Sequence, residues 1–182
     1  MKKKIPLKRA EAIAQKVVKA LEPYCERAVA AGSVRRKKDW VGDVEIVAQP
    51  KEVVVTSDLF GEKRIGFMDV EDGLEKIGRR VKGGHRYMQY VVDGVPVDVF
   101  VVLPPAQWGV ILALRTGPAD LSKWLVTQRK HGGALPSQCR VKDGAVWEGK
   151  LLMEMPEEED FFRFCGLRYV SPEYRYLLRR ER

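Results

Sequence analysis

The sequence predicts an α/β protein in two lobes, a β-rich one up to residue 103 and a smaller α+β one from 104 to 182. Three observations predict it. Residues 7–21, "LKRAEAIAQKVVKAL", carry Ile13, Val17, Val18 and Leu21 at helical spacing. Residues 41–49, "VGDVEIVAQ", alternate and are β-branched, as a strand does. Residues 85–103 read as two strands joined by Asp93-Gly94, a strong hairpin dipeptide. At 182 residues the chain is one sizeable domain or two small ones, and 45% hydrophobic content is enough for a core.

The elements follow in order. The first helix ends at Pro23, and "CERAVAA" reads as a short strand leading into Gly32. After the strand over 41–49, "KEVVVTSDLFG" (51–61) is strand or loop. "VEDGLEKIGRR" (70–80) reads as a short helix despite Gly73. The second hairpin strand, "VPVDVFVVL", is apolar almost throughout, which places it centrally in a sheet. "PPAQWGVILALRTG" (104–117) is a helix opened by proline, and "ADLSKWLVTQRKHGG" (119–133) a helix closed by Gly132-Gly133. "CRVKDGAVWEGKLL" (139–152) is a small hairpin around Asp143-Gly144. "PEEEDFFRFCGL" (156–167) is a short helix with its acids in the first turn.

Composition narrows the function classes. Thirty-three Lys and Arg against 25 Asp and Glu give a net charge of +8, compatible with a polyanionic partner. No apolar run approaches the ~20 residues of a membrane helix, and the basic start lacks the apolar stretch of a secretory signal. The expected location is the cytoplasm, or a host cytoplasm for a viral or phage protein. Cys25, Cys139 and Cys165 are far apart, with no CxxC and no histidine placed beside them. They read as free thiols, not as zinc ligands. The four tryptophans read mostly as core.

Residues 31–47, "AGSVRRKKDWVGDVEIV", hold the chemistry. On a strand, Asp43 and Glu45 point to one face while Val44 and Ile46 face a core. The bland reading is the polar side of an amphipathic strand. The chemical one is a pair of hard oxygen donors for Mg²⁺. Asp98 favours the second, since it is the only charge in an apolar strand and a lone buried carboxylate is costly. If its strand neighbours 42–48, three carboxylates converge, the layout for two divalent ions assisting displacement at phosphorus. Gly32-Ser33 opening a helix offers amides and a hydroxyl to a phosphate. Arg35 and Arg36 suit triphosphate oxygens.

Taken together, "GSVRRKKDWVGDVEIV", "VDVFVV", "RTGPADLSKWL" and "GGALPSQCRV" resemble the nucleotidyltransferase signature, and more closely the family X DNA polymerases, the polymerase beta-like group. The resemblance spans about residues 25–175 and is to the minimal form, without helix-hairpin-helix segments or a lyase domain. It implies a palm over 1–103, a mixed sheet flanked by helices, and a small α+β thumb over 104–182. It implies two Mg²⁺ ions, with Mn²⁺ as a substitute, held by Asp43, Glu45 and Asp98, the last lying by the primer 3′-OH. Gly32, Ser33 and Arg36 would hold the triphosphate. Leu114, Arg115, Thr116 and Gly117 would line the sugar and base. Gly83, Gly84, His85 and Arg86, together with Arg129 and Lys130, would meet DNA. The implied partners are a primer–template or gapped duplex and a dNTP, or an NTP, for a monomer without a membrane. The implied activity is DNA-directed synthesis in short-gap repair or viral replication, with weak sugar discrimination. The alternatives are a template-independent, RNA-directed or small-molecule nucleotidyltransferase, and an inactive nucleic-acid-binding module. Glu45 stands where the family usually has Asp, and Leu114-Arg115 where it has an aromatic pair.

Overall fold

The computed structural model describes residues 4–57 and 63–179. The lysines at 2 and 3 and the end of the 51–61 segment fall outside them. Strand β1 (Ile5–Pro6) leads into helix α1 (Leu7–Leu21), strand β2 (Cys25–Ala30), the single turn α2 (Gly32–Arg35), β3 (Trp40–Val41) and β4 (Val44–Pro50). A separate hairpin, β5 (Glu52–Ser57) and β6 (Lys63–Phe67), precedes the short α3 (Glu71–Leu74), β7 (Arg79–Gly84), β8 (Tyr87–Val92) and β9 (Val95–Val101). Helices α4 (Trp108–Thr116) and α5 (Ala119–Val126) follow, with a 3₁₀ turn at Arg129–His131. Strands β10 (Cys139–Lys142), β11 (Ala145–Glu148) and β12 (Leu151–Met153), helix α6 (Glu158–Phe164) and a 3₁₀ segment at Pro172–Arg179 complete the order.

The main sheet has the order β2-β4-β9-β8-β7. It is mixed: β4 and β9 are parallel and the other pairings antiparallel. β9 lies at its centre, as its apolar sequence predicts. Its hairpin with β8 turns on Asp93 and Gly94, both with positive φ (50° and 78°), the conformation a two-residue turn of this twist requires.

Alternation assigns the two faces of this sheet. Val44, Ile46, Ala48, Val95, Val97, Val99 and Val101 point to one face, where Ile13, Val17 and Leu21 of α1 cover them. Each fully buried valine or leucine contributes about 1.5–3 kcal/mol relative to exposure. Val47 points to the other face, where α4 supplies Trp108 and Leu112. A second core, made by residues between Val110 and Cys165, joins α4, α5, α6 and the β10-β11-β12 sheet, with Phe161 and Phe162 fully buried.

Five local expectations change. The helix read over 104–117 as opened by proline begins only at Trp108, with Gln107 extended before it and Pro104 and Pro105 in a turn. The helix read over 70–80 ends at Leu74, because Arg79 and Arg80 pair with Val91 and Tyr90 in β7. Strand pairing outweighs a weak helical pattern that contains two glycines. Helix α5 stops at Val126: Thr127 is extended, and its carbonyl accepts from the Leu135 amide. Gly132, left-handed at φ 80°, instead closes the 3₁₀ turn. The hairpin over 139–152 gains the third strand β12. Trp40 is 60% exposed, while Trp108 is core.

Candidate functional site

The register of the parallel pair sets the site. Glu45 on β4 stands directly opposite Asp98 on β9, and Asp43 lies in the bend just before β4. Both strand acids are on the face that α4 covers further along. The three carboxylates therefore meet at the N-terminal end of the β4–β9 pair, beyond the apolar contacts of Val47.

Gly32 explains how Glu45 is accommodated. Its φ is +53°, a conformation that favours glycine, and a Cβ there would overlap the tip of the Glu45 side chain in this rotamer. Burial and then the neighbouring Asp43 push the Glu45 carboxyl up, Arg36 and Arg115 offset part of this, and Asp98 adds to it, leaving it at about 7. The charge on this acid is thus incompletely compensated by the protein.

Asp98 is held from the adjacent strand. The Tyr87 hydroxyl and the Gln89 amide both donate to its Oδ1, each at 2.8 Å. Burial and the Asp98 interaction push the Tyr87 phenol up to about 12, so it remains a donor. Its ring packs on Phe100, with centroids 5.3 Å apart, and the Arg115 guanidinium lies 3.9 Å from the centroid of that same Phe100 ring. A cleft of about 210 Å³ opens beside them, lined by Tyr87, Phe100, Ile111, Arg115 and Asp143 among others.

The arginines after Gly32-Ser33 take different tasks. Arg36 donates to the Thr116 carbonyl, and its buried Nε has no partner among the described residues. Burial lowers its pKa, with Glu45 acting in the opposite direction. Arg35 donates to Thr116 Oγ1 (2.6 Å) and forks onto Glu158 at 2.9 and 2.8 Å. Glu158, 2% exposed, also pairs with Arg175 at 2.8 Å. Burial would raise the Glu158 pKa, but the contacts and charges of Arg175 and Arg35 outweigh it and hold it below its ordinary value. This bracket ties α2 to Thr116, α6 and the C-terminal segment.

The remaining sequence-predicted residues are scattered. Thr116 is fully buried, and Gly117 ends α4 beside Arg36. Leu114 packs on the second core, while Arg115 reaches the site. Gly83 and Gly84 end β7, and His85-Arg86 form the turn into β8. Arg86 donates to the Leu103 and Pro104 carbonyls, and Arg129 to those of Ala134 and Cys165. Lys130 and His85 are exposed. All three cysteines are buried and free.

Sequence reasoning missed Tyr87, Gln89, Phe100, Glu158 and Arg175. A signal existed for Gln89: with Asp93-Gly94 as a two-residue turn, Val92 pairs with Val95, and three steps outward bring Gln89 opposite Asp98. No comparable signal joins Glu158 to Arg35.

Asp43, Glu45 and Asp98 are all carboxylates, the hard oxygen ligands Mg²⁺ takes, and Arg36 and Arg115 only partly offset the burial and acidic neighbours of Glu45. Among the described residues no three His, Cys, Asp or Glu side chains are gathered into a ready cage. Glu45 leans toward Gly32, so chelation requires this side chain to rotate, whereas Asp98 takes its Tyr87 and Gln89 donors on Oδ1 alone. No helix of the described residues is long and apolar enough to cross a membrane. A scan against protein-family models and a search of curated proteins returned no match for this chain.

Proposed function

We propose that the chain is a metal-dependent nucleotidyltransferase that extends DNA, a polymerase of the family X type. The observation that carries this reading is the β4–β9 register, which sets Glu45 across from Asp98 with Asp43 beside them. The Gly32-Ser33 turn and the unpartnered Nε of Arg36 next to that cluster support it.

Asp43, Glu45 and Asp98 would hold two divalent cations, which supply positive charge to the transferred phosphate. The chain's own residues do the rest. The Gly32-Ser33 amides, the Ser33 hydroxyl and Arg36 bind the triphosphate. Asp98 accepts the proton of the primer 3′-OH. The 3′-oxygen then bonds to the α-phosphorus, and the bond to pyrophosphate breaks. Arg115 over Phe100 lines the sugar side, and buried Thr116 with Gly117 fixes the floor. In this reading residues 1–103 are the palm and 104–182 the thumb. His85 and Lys130 are the exposed contacts for duplex phosphates.

The test is incorporation of single nucleotides with Mg²⁺ on a gapped duplex, a primer–template, a single strand and an RNA primer. Templated addition to the first two is expected. Addition only to single strands or to RNA would favour a different nucleotidyltransferase. No addition to any, together with retained DNA binding, would leave a binding module.

A further inference from the structure

Both donors to Asp98 fall on one oxygen. A carboxylate offers about four acceptor positions over two oxygens. Asp98 is half-buried, so satisfying its charge does not by itself require two donors on the same oxygen. Here Tyr87 and Gln89 both reach Oδ1, each at 2.8 Å, and among the described residues Oδ2 receives no hydrogen bond. The two donors lie at i and i+2 on β8, on the face shared with Asp98, and Gln89 is the residue directly across from it. Tyr87 is itself fixed, because its ring packs on Phe100 and Arg115 covers Phe100.

We propose that Tyr87 and Gln89 are positioning residues for Asp98: they pin Oδ1 from the neighbouring strand and reserve Oδ2 for the reacting 3′-hydroxyl and its cation. The inference rests on the nucleotidyl-transfer reading. The two donors act as a pair on one atom. Either alone partly restrains the carboxylate's rotation, so the loss of one loosens it and the loss of both releases it. Misplacement of a reacting group by about 1 Å can cost on the order of 100-fold in rate. The charge, the ligand count and the core are unaffected by such a release.

The experiment uses the full chain with Tyr87→Phe, Gln89→Met, the double variant, and Asp98→Asn as reference. Each single substitution should lower kcat about tenfold with nucleotide KM little changed. The double should lower it about 1,000-fold, more than the product of the singles. Mn²⁺ titration by electron paramagnetic resonance, without nucleotide, should show affinity weakened about tenfold in the double variant. Melting temperatures should stay near wild type. If the double variant does not fold, Tyr87→Phe, which keeps the ring on Phe100, decides by its kcat and its Mn²⁺ affinity. Wild-type kcat in the double variant, with Asp98→Asn inactive, overturns the positioning role. So does a loss that tracks melting temperature with Mn²⁺ affinity unchanged. A wild-type chain that neither incorporates nucleotide nor binds Mn²⁺ in an Asp98-dependent way overturns the nucleotidyl-transfer reading, and the positioning role with it.

Discussion

Glu45 is half-buried and Glu158 fully buried; both have arginines close by, and their pKa values are shifted in opposite directions. Glu158 takes the Arg35 fork and the Arg175 ion pair, which hold its pKa below the ordinary value. Glu45 has Arg36 and Arg115 near it, yet burial and two neighbouring acids leave it at about 7. The first is an acid the fold has neutralised with its own cations. The second is an acid the fold has left short of positive charge. Strongly perturbed groups cluster at functional sites. The contrast separates an ion-pair bracket from an acidic cluster whose charge the fold only partly offsets.

The sharpest way to break the comparison is to remove the acids. Asp98→Ala and Asp43→Ala should each lower incorporation by at least ~1,000-fold, about 4 kcal/mol of transition-state stabilisation, with duplex affinity retained. Steady-state kinetics beside a binding isotherm checks this, and near-normal turnover in either variant would remove the two-cation reading.

Glu158→Gln should act on stability instead. Removing one partner of a buried ion pair costs about 3–5 kcal/mol, here with Arg35 and Arg175 left facing each other. Because the folded pKa is lowered, the stabilisation is complete above the unfolded carboxylate value of about 4.3 and disappears as pH falls through the lower folded value. Urea unfolding of wild type and variant at pH 7 and at pH 3 should show a wide gap that narrows in acid.

Glu45→Gln should have the opposite sign. Its raised folded pKa makes the charged form a liability that grows above the unfolded value and saturates above about pH 7. In metal-free buffer at pH 8 the variant should be about 1–3 kcal/mol more stable than wild type, with no gain near pH 4. It should also be inactive. A destabilised Glu45→Gln at pH 8 would mean that the acid is compensated after all.

The smallest effect concerns the sugar. Leu114 packs in the second core and Arg115, a flexible donor, faces the site. Discrimination between deoxy- and ribonucleotides should therefore stay within ~100-fold in kcat/KM, under ~3 kcal/mol. Paired insertion of dNTP and rNTP on one primer measures it. A preference of many thousand-fold would point to a backbone gate.

Particular residues show what was legible before the structure. Asp93-Gly94 fixed a hairpin because few dipeptides accept two positive φ values, and the apolar run 95–103 revealed a central strand. Asp98 stood out as the one charge in that run. Its pairing with Glu45 was only a condition, since no local pattern tells which strands become parallel neighbours. Glu158 read as one of several first-turn acids, because its partner Arg35 is 123 residues away in sequence. The helix over 70–80 failed for a different reason: its last residues pair into the neighbouring hairpin with β8, which overrode the weak helical pattern.

The most direct measurement of the central claim is single-nucleotide incorporation on a gapped duplex, with and without Mg²⁺, by wild type, Glu45→Gln and Glu158→Gln at a temperature where all three are folded. Wild type should add the template-matched nucleotide only with Mg²⁺, Glu45→Gln should lose at least ~1,000-fold, and Glu158→Gln far less. No addition by wild type under any condition, or equal losses in the two variants, would contradict the claim.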